Sequence, residues 1–230
     1  MTTDPIGSNI TKVLEEVRAA TEFSGRHFES LRVLAVSKTK PAEAVRSAHA
    51  AGLSEFGENY LQEAVEKIEA CKDLDLTWHF IGPIQSNKTR PIAEHFQWVQ
   101  SVDRSKILRR LAEHRPKALP PLNVCIQVNI SGEASKSGCE PEELDALLAE
   151  AAALPSLNLR GLMAIPAPAE TYEAQKKAAD SLATLFEAAI KHYPSMDTLS
   201  IGMSSDLRAA IAAGSTMVRI GTAIFGARSR

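Results

Sequence analysis

"LRVLAVSKTKP" (residues 31–41) runs from an apolar, partly β-branched stretch into two lysines and a proline, and "PAEAVRSAHAAG" (41–52) continues it with helical spacing. The first part reads as a buried strand and the second as an amphipathic helix. An ammonium in the middle of such a strand would be costly, so Lys38 belongs at its rim, reaching water or held there for chemistry. The same alternation recurs along the chain. Apolar runs lie at "SEFGE" (54–58), "TWHFIG" (77–82), "QWVQSVD" (97–103), "LNVCIQVNIS" (122–131), "LNLRGLMAIP" (157–166), "TLSIG" (198–202) and "TMVRIG" (216–221). Helical patterns such as "YLQEAVEKIEACKD" (60–73), "PEELDALLAEAAAL" (141–154) and "AQKKAADSLATLFEAAIKHY" (174–193) separate them.

About eight strands, each followed by a helix or helical turn, is the count of a TIM (β/α)8 barrel. An open doubly wound sheet is the alternative, but the G-x-G-x-x-G fingerprint is missing after the first strand. The expected organisation is α/β: a single barrel domain over 1–230, with an N-terminal helix over about 8–29 and the barrel over about 31–228. Barrels place their sites at the C-terminal ends of the strands. Lys38 shares parity with Leu34 and Val36 and so points with them into the barrel.

The 26 basic and 28 acidic residues are spread through the chain and leave a net charge of −2, which excludes an electrostatic footprint for nucleic acid or an anionic membrane. Cys71, Cys125 and Cys139 show no metal-type spacing, so they read as reduced structural thiols. The histidines are scattered and offer no metal set. No signal-peptide pattern is present and no apolar run approaches the ~18 residues that span a bilayer, so the expected location is cytoplasmic.

"SIGMSSD" (200–206) and "RIGTAIFGA" (219–227) put glycines and hydroxyls directly after the seventh and eighth strands, where barrels commonly build a phosphate site. Ser204, Gly221 and Thr222 are the candidate contacts. Arg219 has the parity of Met217, which sends its guanidinium into the barrel while Val218 and Ile220 face the helices. A primary amine, a fixed cation and a phosphate cradle suit a phosphate-bearing aldehyde, and pyridoxal 5′-phosphate is such a molecule.

Taken together, "AVSKTKP", "FGENYLQE", "WHFIGPIQSNK", "VNIS" with "SKSG", "GLMAIPAP", "LSIGMSSD" and "STMVRIGTAIFGAR" resemble the YggS/PROSC family of pyridoxal-phosphate-binding homeostasis proteins. That family has the alanine racemase N-terminal-domain barrel without the racemases' second, β-rich domain. The resemblance runs from about residue 8 to residue 228. It implies that Lys38 is the aldimine lysine, that Arg219 faces the pyridine nitrogen and that Ser204, Gly221 and Thr222 hold the phosphate. It also implies that Asn59 and the strand around Met163 approach the ring. His79 in "WHFIG" is expected at the end of the third strand in the same mouth, and Lys136 in "EASKSG" becomes a candidate second amine for capture or transfer.

The function implied is storage of pyridoxal phosphate and its supply to apoenzymes by a monomeric carrier without robust turnover. An amino acid racemase and, less favoured, a Schiff-base aldolase are the alternatives. A racemase needs acid and base groups on both ring faces, which in the related enzymes draws on the second domain. Arginine at the ring nitrogen also disfavours a pyridinium by placing like charge beside it, which weakens the cofactor as an electron sink.

Overall fold

Leu34, Val36, Ile81 and Met217 meet as one small apolar cluster, whereas their strand neighbours Ala35, Phe56, Val218 and Ile220 join the large core between strands and helices. This split is what alternate side-chain direction produces when a sheet closes on itself. The computed structural model describes residues 5–132 and 137–227. Eight parallel strands close in chain order, β1 (Arg32–Val36), β2 (Glu55–Glu58), β3 (Thr77–Phe80), β4 (Trp98–Val102), β5 (Leu122–Gln127), β6 (Leu157–Met163), β7 (Thr198–Ser200) and β8 (Met217–Ile220). The seam pairs Leu34 with Arg219 and Ala35 with Ile220. All eight apolar runs therefore became strands.

Among the described residues the helices are α1 (Pro5–Phe23), α2 (Ala42–Ala50), α3 (Leu61–Ala70), α4 (Thr89–His95), α5 (Ser105–His114), α6 (Leu144–Ala152), α7 (Tyr172–Ala189), α8 (Leu207–Ala212) and α9 (Thr222–Phe225). The first differs from the expected 8–29. It begins at Pro5 and stops at Phe23, where Gly25 adopts φ +69° and the chain turns into a separate 3-10 turn at Phe28–Ser30. Glycine takes that left-handed conformation without steric cost, which makes it a natural helix stop. Ile10, Val13, Val17 and Ala20 face inward, so α1 lies across α8, α9 and α2 and covers the seam from outside. Full burial of an aliphatic side chain there contributes about 1.5–3 kcal/mol.

The N-terminal end of the barrel is plugged. Trp98 lies between the guanidinium groups of Arg32 and Arg160, 4.7 and 4.6 Å from its ring centroid, and His79 stacks on it at 5.1 Å. The other end stays available for a site. No helix among the described residues is long and apolar enough to cross a membrane.

Candidate functional site

Lys38 stands two residues beyond the end of β1, half-buried, in a tight turn. Thr39 next to it adopts φ +63°, the only positive φ at a non-glycine among the described residues. A β-branched residue in that region is strained and persists only where its surroundings hold it. They do so from behind the barrel wall. Lys67 on α3 donates to the Ser37 carbonyl at 2.7 Å, to Glu58 Oε1 at 2.6 Å and to Glu63 Oε1 at 2.6 Å. The Ser37 hydroxyl donates to Glu58 Oε1 at 2.6 Å, and the Thr39 N–H donates to Glu63 Oε1 at 2.5 Å. Burial pushes the Glu58 carboxyl above the ordinary range, against the pull of Lys67 and Ser37.

Across the seam, Gly221 packs so close to β1 that a Cβ there would lie 3.2 Å from the Val36 carbonyl oxygen. The turn carrying Lys38 therefore sits beside the loop of Gly221 and Thr222. The Arg219 N–H donates to the Gly202 carbonyl at 2.9 Å and joins that loop to the one holding Ser204. Ser204 and Thr222 are exposed. The structure thus brings Lys38, Ser204, Gly221 and Thr222 to one end of the barrel, as their sequence positions predicted.

Arg219 points inward beneath them and is 4% exposed. Its Nη1 donates to the Ser200 carbonyl at 2.7 Å and to Ser200 Oγ at 2.8 Å, and its Nη2 donates to the Ala164 carbonyl at 2.7 Å. Three of the five guanidinium N–H groups are held in this way, and the other two have no partner among the described residues. Burial lowers its pKa to about 10, so it remains a cation at neutral pH.

The polar chain continues downward. The Ser200 hydroxyl donates to Gln100 Oε1 at 2.6 Å, and Gln100 Nε2 donates to His79 Nδ1 at 2.9 Å. That leaves the proton of a neutral His79 ring on Nε2, which lies 3.1 Å from Glu55 Oε2, close but off line. Burial holds His79 below the ordinary histidine range despite Glu55. The expectation that His79 lines the mouth is therefore corrected. The ring is fully enclosed and stacks on Trp98 near the plugged end, because His79 pairs with the first residue of β4. Met163, the last residue of β6, is buried against Trp98 and Cys125, and the next residue, Ala164, is the one that reaches Arg219.

Asn59 follows β2 with its Oδ1 buried and unpartnered. Its backbone presses on Gly82, where a Cβ would lie 2.2 Å from the Asn59 carbonyl oxygen. A groove of about 780 Å³ opens on this side, lined by Asn59, Tyr60, Ile84, Lys88, Arg104 and Ser137 among others. Lys136 lies outside the described residues. Sequence reading missed Ser200, Gln100, Glu58 and Lys67. Three of them had a signal: Ser200 and Gln100 are polar at inward positions of apolar runs, and Lys67 falls three residues after Ala64 on the buried face of α3.

A family model described as alanine racemase, N-terminal domain, matches residues 14–229. The pyridoxal phosphate homeostasis protein of Pseudomonas aeruginosa is 62% identical over 223 residues, which is 97% of this chain and 96% of that protein. The protein of the same name from Escherichia coli is 56% identical over 226 residues, covering 97% of each. Among solved structures, PipY of Synechococcus elongatus with PLP bound superposes with a TM-score of 0.84 at 34% identity, over 96% of this chain and all of that one. Alanine racemase of Corynebacterium glutamicum shares the fold with a TM-score of 0.71 at 18% identity; the match takes in 99% of this chain and 62% of that enzyme.

Proposed function

The chain belongs to the alanine racemase N-terminal domain family, and from its near full-length match to homeostasis proteins we propose that it holds pyridoxal 5′-phosphate at Lys38 and takes part in the cell's supply of that cofactor. When bound, the cofactor supplies an aldehyde that condenses reversibly with a primary amine. The observation that carries this reading is the meeting, across the β1–β8 seam, of the Lys38 turn with the loops of Ser204 and Gly221–Thr222 above a buried guanidinium.

The residues present fit the group. Thr222 and Ser204 offer hydroxyl donors to a phosphate, and Gly221 allows close backbone approach. Arg219, backed by the carbonyls of Ser200 and Ala164, has N–H groups left for a ring acceptor and keeps a proton off it by like-charge repulsion. The orphaned Asn59 Oδ1 can accept from a ring hydroxyl. Such a site retains an aldehyde well and stabilises a carbanion poorly; since racemases share this arginine, it is the near full-length match to homeostasis proteins that favours a carrier over the racemase reading. Lys136 is a candidate second amine for capture or transfer of the cofactor, and the protein acts as a cytoplasmic monomer that supplies apoenzymes.

Borohydride treatment of the loaded protein followed by peptide mapping tests this reading. The pyridoxyl group is expected on Lys38, and its appearance only on other lysines overturns the assignment.

A further inference from the structure

Lys67 and Glu58 are 4% and 0% exposed, so α3 buries a full ion pair against the barrel wall. Removing two charges from water is expensive, and a well-packed apolar pair of similar volume is often as stable or more so. The fold has no need of charges there. Their hydrogen bonds converge instead on the two residues flanking Lys38. The Lys67 ammonium spends one donor on the Ser37 carbonyl and the other two on Glu58 and Glu63, which accounts for all three. Glu58 then takes the Ser37 hydroxyl and Glu63 takes the Thr39 N–H. Residue 37 is thus held through its carbonyl and its side chain, and residue 39 through its amide in a strained left-handed conformation. No bond of this set goes to Lys38 itself.

We infer that Glu58, Glu63 and Lys67 form a positioning device that aims the Lys38 side chain, fixing the backbone on both sides of it so that the amine meets an aldehyde seated over the phosphate loops. The inference rests on the reading of Lys38 given above. In the reaction the device would serve, the neutral Lys38 amine would add to the aldehyde carbon, its two hydrogens leaving with the aldehyde oxygen as water while a C=N bond replaces the C=O bond. A misaimed amine slows that addition without touching the phosphate loops or Arg219. The three residues are positioning residues, since none of them touches the reacting atoms.

Two variants separate aim from folding. Glu63→Ala releases the Thr39 N–H at a partly exposed carboxylate. The double variant Glu58→Leu/Lys67→Met removes the hold on Ser37 while leaving no buried charge unpaired. Each is mixed with pyridoxal 5′-phosphate, and the growth of the near-visible absorption band is followed by stopped flow. Affinity for pyridoxine 5′-phosphate, which has the phosphate and ring but no aldehyde, is measured in parallel. Thermal unfolding reports the fold. We expect cooperative unfolding and near wild-type affinity for pyridoxine 5′-phosphate in both variants, with covalent capture slowed by about tenfold to a hundredfold, the scale of a small misplacement. Glu66→Ala, on the exposed side of the same helix, should capture at the wild-type rate. Wild-type capture rates in both test variants overturn the inference, and so does a parallel loss of pyridoxine 5′-phosphate affinity. Failure of the wild-type protein to form the band overturns the reading of Lys38 and the inference with it.

Discussion

His79 carries a pH dependence whose sign follows from its enclosure. Its folded-state pKa is depressed from the ordinary 6.5 by burial, so below pH 6.5 the unfolded chain binds a proton that the folded chain resists. The stability associated with the neutral ring is therefore present above pH 6.5 and is lost as pH falls. Urea midpoints of the wild type should drop between pH 7 and about pH 5.5, and His79→Gln should lose much of that drop. An unchanged slope in the variant would mean that other groups govern this window. The parity of Leu34 and Val36, and of Met217 and Arg219, was legible in the sequence because direction alternates strictly along a strand. Depth was not. His79 faces inward as expected, but strand stagger sets the height at which it enters the barrel, and no local pattern encodes it.

At the level of elements, β6 and β7 meet more closely than a side chain allows. A Cβ on Gly161 would stand 1.6 Å from the Thr198 carbonyl oxygen, beside a register irregularity between β5 and β6. Gly161→Ala should cost at least the 1–3 kcal/mol typical of overpacking, read as a lowered denaturation midpoint. Because Ser200 and Ala164 follow on these strands and hold Arg219, the variant should also bind pyridoxal phosphate less tightly. Unaltered stability would show that the two strands can part at no expense. The strands themselves were readable as apolar runs, and five of the helices from their periodicity. The α4, α5 and α8 segments were not singled out, being short or richly charged, as in "SKILRRLAEH" of α5. The charged contacts behind Lys38 were also invisible, since Ser37 and Lys67 are thirty positions apart and meet only once α3 docks.

At the scale of the whole molecule, a closed barrel has no free strand edge through which copies could pair. Among the described residues the exposed large apolar side chains, Phe23, Tyr60, Leu119, Ile165 and Tyr172, lie on separate helices and loops. Phe23 and Tyr172 nonetheless border one apolar hollow between α1 and the start of α7, the surface to watch for self-association. Sedimentation equilibrium should give the mass of one chain, and a dimer abolished by Phe23→Ser would place an interface at that hollow. Overall architecture was the most legible level, because eight repetitions of one pattern leave few alternatives, and the specificity of the end loops narrowed the ligand further.

The β1–β8 seam has a consequence for biosynthesis. Lys38 leaves the ribosome early, whereas Arg219, Gly221 and Thr222 are among the last residues made, and the two groups meet only when the final strand docks against the first. On the reading proposed above, colour acquired on loading would certify a finished chain: a product truncated before β8 would carry Lys38 and Ser204 but lack Arg219, Gly221 and Thr222. The bound vitamin would act as a clasp across the join, so that loading and closure of the ring reinforce one another and the empty protein opens first along that line.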